Sequence, residues 1–428
     1  MDPQVKQFRD IQLQVRKDEV WRFTDFSALL TDSLSLPEKS ERQTAEYHCN
    51  LPDMGATRLV TENGYCHVPM EKSAEGVITG SLREALERYP ELVEPYLGRC
   101  AQKSNPYLQW NDTHYTDGVF IYLPDGVEAT QPFQLQSVVN AGHGLFLQVR
   151  NLVVAGAGSR LTIVHCDDSY DAAPAFANNV TEIFAGEGAR IAYYKMQNLN
   201  NRTGLLNHLY ATVAGGVELR AVGITLNGGH VCNHTEVNMQ GEHCNTQVHG
   251  LYLSDQEQRV ENYVYVDHAQ PNCHSRELFK GILDDTAQGR FNGHVLVAPG
   301  ATKTEAYMAN KNILLTDKAF IDTRPFLEIY NDDVKCSHGS TIGQLDEQAL
   351  FYLRSRGITD RTARTMLLYA FCDEVLQFID MPVMRDRLSD LVKKRLHGEL
   401  TLCADCALQC STPCNGPEVH FSIDPEKL

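Results

Sequence analysis

The chain has 428 residues, 43% of them hydrophobic, which is enough to bury a sizeable core and to divide into two or three units. Fifty-five acidic residues against 38 basic ones give a formal charge of −17. That balance, with no cluster of Lys or Arg, excludes the electrostatic footprint of a nucleic-acid binder or of a protein that docks on anionic membranes.

In chain order, the opening MDPQVKQFRDIQLQVRKDEV lacks the apolar core of a signal peptide, and no later run approaches the ~18 apolar residues of a membrane span. A soluble, cytoplasmic protein is therefore expected. Residues 1–115 read as a helical and irregular segment. Within it Ser81 caps a helix with an apolar face at Leu82, Ala85, Leu86 and Tyr89, and Pro90 interrupts it.

Composition shifts at Asp117-Gly118, and residues 116–343 become a series of short apolar runs broken by glycine turns. VVAGAGSRLTIV from Val153, IFAGEGARIAYY from Ile183, TVAGGVELRAVG from Thr212 and VNMQGEHCNTQVHG from Val237 echo one another at intervals of about 25 to 30 residues. Units of that period bury their apolar faces by stacking on one another. With no helical period between the strands, a parallel β-helix or an antiparallel β-sandwich fits, and periodicity leaves both open. His230, Cys232 and His234 alternate, and His243-Cys244 and Cys273-His274 lie nearby; these read either as ladder residues or as a sulfur or metal path.

The segment DDVKCSHGSTIGQLDEQALFYLRSRGI from Asp332 places a thiol and an imidazole two residues apart. On a strand Cys336 and His338 share one side. A thiolate and a neutral imidazole are good ligands for iron or zinc, but a closed tetrahedral site needs four donors. Either other segments or a partner supply the rest, or the pair only packs.

From residue 344 to 398 the period becomes helical. Asp346 caps a helix through Arg354, Thr359 opens another with Ala363, Met366, Leu367, Ala370 and Phe371 on one face, and Pro382 starts a third. Such helices are expected to cap the open rung of a stacked-strand core. In the tail, residues 399–428, Cys403, Cys406, Cys410 and Cys414 form C-x2-C-x3-C-x3-C, which is able to wrap zinc or iron. The other nine of the 13 cysteines, from Cys49 to Cys372, read as buried thiols of a reducing compartment.

The Cys-His block resembles, nearly word for word, the C-terminal signature of the SufB/SufD family of iron–sulfur cluster scaffolds. Trp21-Arg22-Phe23-Thr24-Asp25 resembles the SufD form of the family's opening motif, and NDTHYTDGVFIYLPDGVEATQPFQL from Asn111 the start of its core. Asp267-His268, Pro271, Ser275, Lys280-Gly281, Phe291 and Gly293 match its spaced pattern, and Asn310-Lys311-Asn312-Ile313-Leu314-Leu315 comes after them.

The resemblance implies a mainly β chain: a right-handed parallel β-helix core with N- and C-terminal α-helical domains. It further implies a non-catalytic scaffold in a SufBCD-type complex, paired with a SufB-like paralogue or with itself as a homodimer. A SufC-like ABC-type ATPase would dock on the C-terminal helices. His338, with Cys336 as second contributor, would hold a transient iron–sulfur cluster at the subunit interface. The sequence contains no G-x-x-x-x-G-K-[ST] phosphate loop, so ATP hydrolysis would fall to the partner. The alternatives are a β-helix carbohydrate-active enzyme, which needs a carboxylate cluster along the solenoid, and a passive partner in which Cys336 and His338 only pack.

Overall fold

The computed structural model describes residues 2–15, 20–38, 55–99 and 105–397. Two ten-stranded sheets face each other, and from Val119 to Gly343 successive strands alternate between them, so that each pairs in parallel with the strand two places on. The first sheet holds, in order, Phe133–Val139, Arg160–Ser169, Arg190–Asn198, Glu218–Asn227, Asn245–Ser254, His274–Leu283, Thr304–Leu314 and Val334–Gly343. The second runs from Val119–Leu123 to Phe320–Ile329. This is a flattened parallel β-solenoid, and the resemblance rather than the periodicity singled it out.

The sequence echo is the coil. Arg160, Arg190, Glu218 and Asn245 lie in register on consecutive strands. The turn before each uses a left-handed residue, Gly158, Gly188 and Gly216 and then His243, with φ between 61° and 68°. Strand alternation sends Ile163, Tyr193, Ala221, Val248 and Met308 into one continuous interior core between the sheets.

The outer faces are covered by the two ends of the chain. Val5, Phe8, Trp21, Phe26 and Tyr107 pack on Phe146, Phe176, Leu206 and Tyr263 of the second sheet. The helices Asp360–Leu376 and Pro382–Leu396 pack on Tyr194, Ile224, Leu251 and Ile282 of the first. Polar anchors fix them: Arg395 makes a two-pronged contact with Asp255 at 2.6 and 2.7 Å, and the Lys280 ammonium meets Glu374 and donates to the Phe371 carbonyl at 2.9 Å. The helices therefore lie along the flank and leave the last rung open, against the expectation of an end cap. The apolar side of Pro382–Leu396 had a flat sheet face to cover, which buries more than a single rung could.

Asp346 and Thr359 cap their helices as expected, Asp346 accepting from the amides of Gln348 and Ala349. The buried stripe of the second helix, however, is Ala363, Leu368, Cys372, Val375 and Leu376, with Ala370 exposed. The expected face was rotated because the i, i+4 pattern had no sheet to be registered against.

The segment before residue 115 is more than helical. Thr57–Glu62 joins the first sheet in parallel beside Phe133–Val139, and Tyr65–Cys66 turns back on it antiparallel. On the second sheet Ile78–Ser81 adds antiparallel to Val119–Leu123, and Glu71–Lys72 antiparallel to Ile78–Ser81. Among the described residues no helix is long and apolar enough to cross a membrane.

Candidate functional site

Cys336 and His338 lie on Val334–Gly343, the last strand of the first sheet, beside Ala306 and Met308. Those two neighbours are buried interior residues, so the pair continues the inward-facing column past the point where the core stops. Among the described residues no further strand pairs on that side. Cys336 is half-buried against the core, and His338 is exposed. The His338 ring stands at the open end of the solenoid, with no described strand over it.

Burial holds the Cys336 thiol above its usual pKa; the Ala306 backbone works against this, and the charge of Glu277 adds to it. A thiol of this kind is protonated at neutral pH and becomes a ligand when a cation draws off its proton. Among the described residues no group of three or more His, Cys, Asp or Glu side chains is placed to hold a metal ion. The chain thus presents one soft and one imidazole donor toward open space, a set that fits iron only with donors from elsewhere.

Glu277 is the residue that sequence reasoning missed. It sits in the interior column beside Val248 and Met308, fully buried, where only Ser275 and its own backbone favour the ionised carboxylate. Burial pushes it up to about 8. Its signal was legible: Ser275 and Glu277 alternate with Leu278, and Leu278 belongs under the outer helices, which puts Glu277 inside.

The other matched motifs build the wall. Trp21 packs edge-on against Tyr107 and beside His234 and Tyr263, and the Thr24 hydroxyl donates to Glu261 at 2.6 Å. Asn111 and Asp112 receive the buried Arg150 guanidinium, which also grips Glu182 at 2.7 Å. His268 shares a 3.0 Å hydrogen bond with Ser275, and the Asn310 amide donates to Tyr252 at 3.1 Å. Gly281 admits the Tyr252 ring, where a Cβ would come within 2.1 Å, and Gly293 admits the Met308 sulfur.

Among the described cysteines none is in a disulfide; Cys166, Cys232, Cys244, Cys273 and Cys372 are buried, as expected of core thiols. His230 and Cys232 face the N-terminal segment, and His230 is paired with Glu261 at 2.8 Å. Cys49, Cys100 and the tail set Cys403, Cys406, Cys410 and Cys414 lie outside the described residues.

Comparison with known proteins matches residues 138–371 to the SufBD core domain of the SUF system for FeS cluster assembly, and residues 2–135 to the SufBD protein N-terminal region. An iron–sulfur cluster assembly SufBD family protein of Synechocystis is 31% identical over 402 residues, covering 90% of this chain and 88% of its own. The iron–sulfur cluster assembly protein SufD of Escherichia coli is 25% identical over 390 residues, covering 90% of each chain. A chloroplastic protein of Arabidopsis thaliana is 25% identical over 391 residues, covering 88% of this chain and 82% of its own. With the N-terminal region and the solenoid core both matched in this way, the chain belongs to the SufB/SufD family of iron–sulfur cluster assembly proteins.

Proposed function

We propose that this chain is a SufD-type scaffold subunit, cytoplasmic and without catalytic activity of its own. Its open solenoid end pairs with a SufB-like paralogue, or with a second copy of itself when the paralogue is absent. The nascent iron–sulfur cluster is cargo, held between Cys336 and His338 on one side and donors of the neighbouring subunit on the other. The observation that carries this reading is the position of His338: exposed, inward-column in register, on a strand with nothing described beyond it.

A two-donor half-site at an interface suits a cluster that must be built and then released, since separating the subunits removes half the ligands. The work of separation comes from a SufC-like ATPase docked on the C-terminal helices. Those helices run from the exposed Phe351 and Tyr352 to the Lys280–Glu374 contact, so a pull on them reaches the strand beside the last rung but one. The tail cysteines are a second donor set, for zinc or iron.

The test is co-purification of wild type and His338→Ala with their partners, followed by iron and sulfide analysis. The scaffold reading expects an intact complex with at least a tenfold loss of assembled cluster; wild-type cluster content in the variant would leave the pair as packing alone. A drop in bound metal when all four tail cysteines become serine would assign the tail, and unchanged metal would remove it.

A further inference from the structure

Cys244 and Cys273 occupy the same place on consecutive coils. Each comes directly after a left-handed turn residue, His243 at φ 61° and Asn272 at φ 59°, and each precedes a strand in which Asn245 lies beside His274. In-register strands lie about 4.8 Å apart, inside the Cα separation that a disulfide spans. The sulfurs converge as well. Both sulfurs lie within hydrogen-bond reach of the Gly241 carbonyl, Cys244 at 3.2 Å and Cys273 at 3.3 Å, and the Cys244 sulfur is also 3.0 Å from the Ala214 carbonyl. On earlier coils the residues after the corresponding left-handed glycines are Ser159, Ala189 and Val217. Two thiols on adjacent rungs are thus a departure from the ladder, and the proposed cluster site does not use them.

We propose that Cys244 and Cys273 are a redox modification site, a thiol pair that closes into a disulfide across adjacent coils when a small hydroperoxide reaches it. Cys244 is the attacking sulfur. Turned from the Gly241 carbonyl toward Cys244, the Cys273 S–H favours the Cys244 thiolate, against the effect of burial, and the backbone at Val217, Gly241 and Gly216 helps; Cys273 is pushed the other way.

The Cys244 thiolate attacks the O–O bond, forming S–O as O–O breaks, and the leaving oxygen takes up the proton that Cys244 released. The Cys273 sulfur then displaces the hydroxyl group of the sulfenic acid; S–S forms, S–O breaks, and the Cys273 proton leaves with that hydroxyl group as water. The two thiols lose two electrons and the hydroperoxide gains them. A low-molecular-weight thiol reverses the change by exchange, its own disulfide being the other product. Neither sulfur reaches the surface. Gly241, whose carbonyl binds both, lines an open groove of about 500 Å³ together with Ala214, Gly215 and Gln240. That path suits a small oxidant and excludes a protein thiol.

The experiment uses the full chain, wild type and Cys244→Ser, each also with the four tail cysteines changed to serine to remove scrambling. After brief hydrogen peroxide treatment and alkylation, peptides are mapped without reduction. The expected result is a Cys244–Cys273 linkage as the main cross-link, reversed by dithiothreitol. A rise of several degrees in the melting temperature should accompany it, because the bond closes a loop between residues 29 apart in sequence. Cys244→Ser should show neither. Wild-type protein in which both thiols are still alkylated after unfolding overturns the proposal, as does Cys244 carried to sulfinic acid with Cys273 free. Both outcomes are read on the wild type and do not depend on how well the variant folds.

Discussion

At its N-terminal end the solenoid runs out into antiparallel additions of two to four residues, Tyr65–Cys66 on one sheet and Glu71–Lys72 and Ile78–Ser81 on the other, with the short helix Leu82–Arg88 packed over Phe120 and Leu152. At its C-terminal end both sheets stop on full ten-residue strands, Phe320–Ile329 and Val334–Gly343, and Phe320, Phe326, Tyr330 and Ile342 are about half exposed. Short, reversed and covered edges prevent further strands from adding; long bare parallel edges invite them. Among the described residues, one end is thus finished as a monomer would finish it and the other is left bare. Since the fold closes itself where it can, the open end is a retained feature rather than the default of a solenoid.

The closed end depends most on a core residue beneath its short helix. Phe120→Ala should cost about 3 to 5 kcal/mol, the range for emptying a buried aromatic site, and a denaturant titration would read it. Because Phe120 sits far from the open rung, partner binding by the remaining folded protein should be unchanged. A loss below about 1 kcal/mol would mean that the short helix and antiparallel pairs are not the cap they look like.

A buried carboxyl near the open end gives the next effect. Glu277 is raised from 4.5 to about 8 by burial, so the native state holds its proton more tightly than the unfolded chain. Its contribution to stability is full below pH 4.5 and drains away as pH rises to about 8. Glu277→Gln has no such loss. The variant should match wild type near pH 4.5 and exceed it by on the order of 3 to 5 kcal/mol above pH 8. Parallel pH profiles for the two proteins would show that burial does not hold the proton on Glu277.

Smaller in energy, but directed at the interface itself, is the pair Phe326→Lys and Ile342→Lys. Lysine on an exposed edge strand is the usual protection against strand addition. The double variant should bind its paralogue, or itself, at least tenfold more weakly, about 1.4 kcal/mol, with the melting temperature of the isolated chain little changed. Unaltered association would move the interface away from the open rung.

How much of this was legible differs along the chain. The coil period could be read from Val153, Ile183 and Thr212 because glycine turns recur in register, but a sandwich has the same local alternation, and the long-range parallel pairing leaves no mark in a single window. Cys336 and His338 were found by their spacing. That they stand at a bare edge was not, because whether a strand has a neighbour is decided by residues distant in sequence. The flank position of the C-terminal helices was misread for the same reason. Lys280, Asp255 and Arg220, which anchor them, looked like ordinary charged residues of strands and turns until Glu374, Arg395 and Asp380 came opposite.

The smallest expected effect is the most discriminating about the open end. Ile342→Ala removes a large apolar side chain, a change that in a core would cost about 2 to 5 kcal/mol. Ile342 is 49% exposed on a strand with one neighbour, so in the isolated chain it gives up little buried surface. The change should fall within about 0.5 kcal/mol of wild type. If a partner covers this edge, the same substitution must become costly in the complex, because burial on binding then supplies what folding does not. A melting curve of the chain alone and one of the assembled complex should therefore rank Ile342→Ala oppositely: neutral in the first, destabilising in the second. A loss already present in the isolated chain would mean that its own fold covers the edge, and the contrast between the two ends would fail.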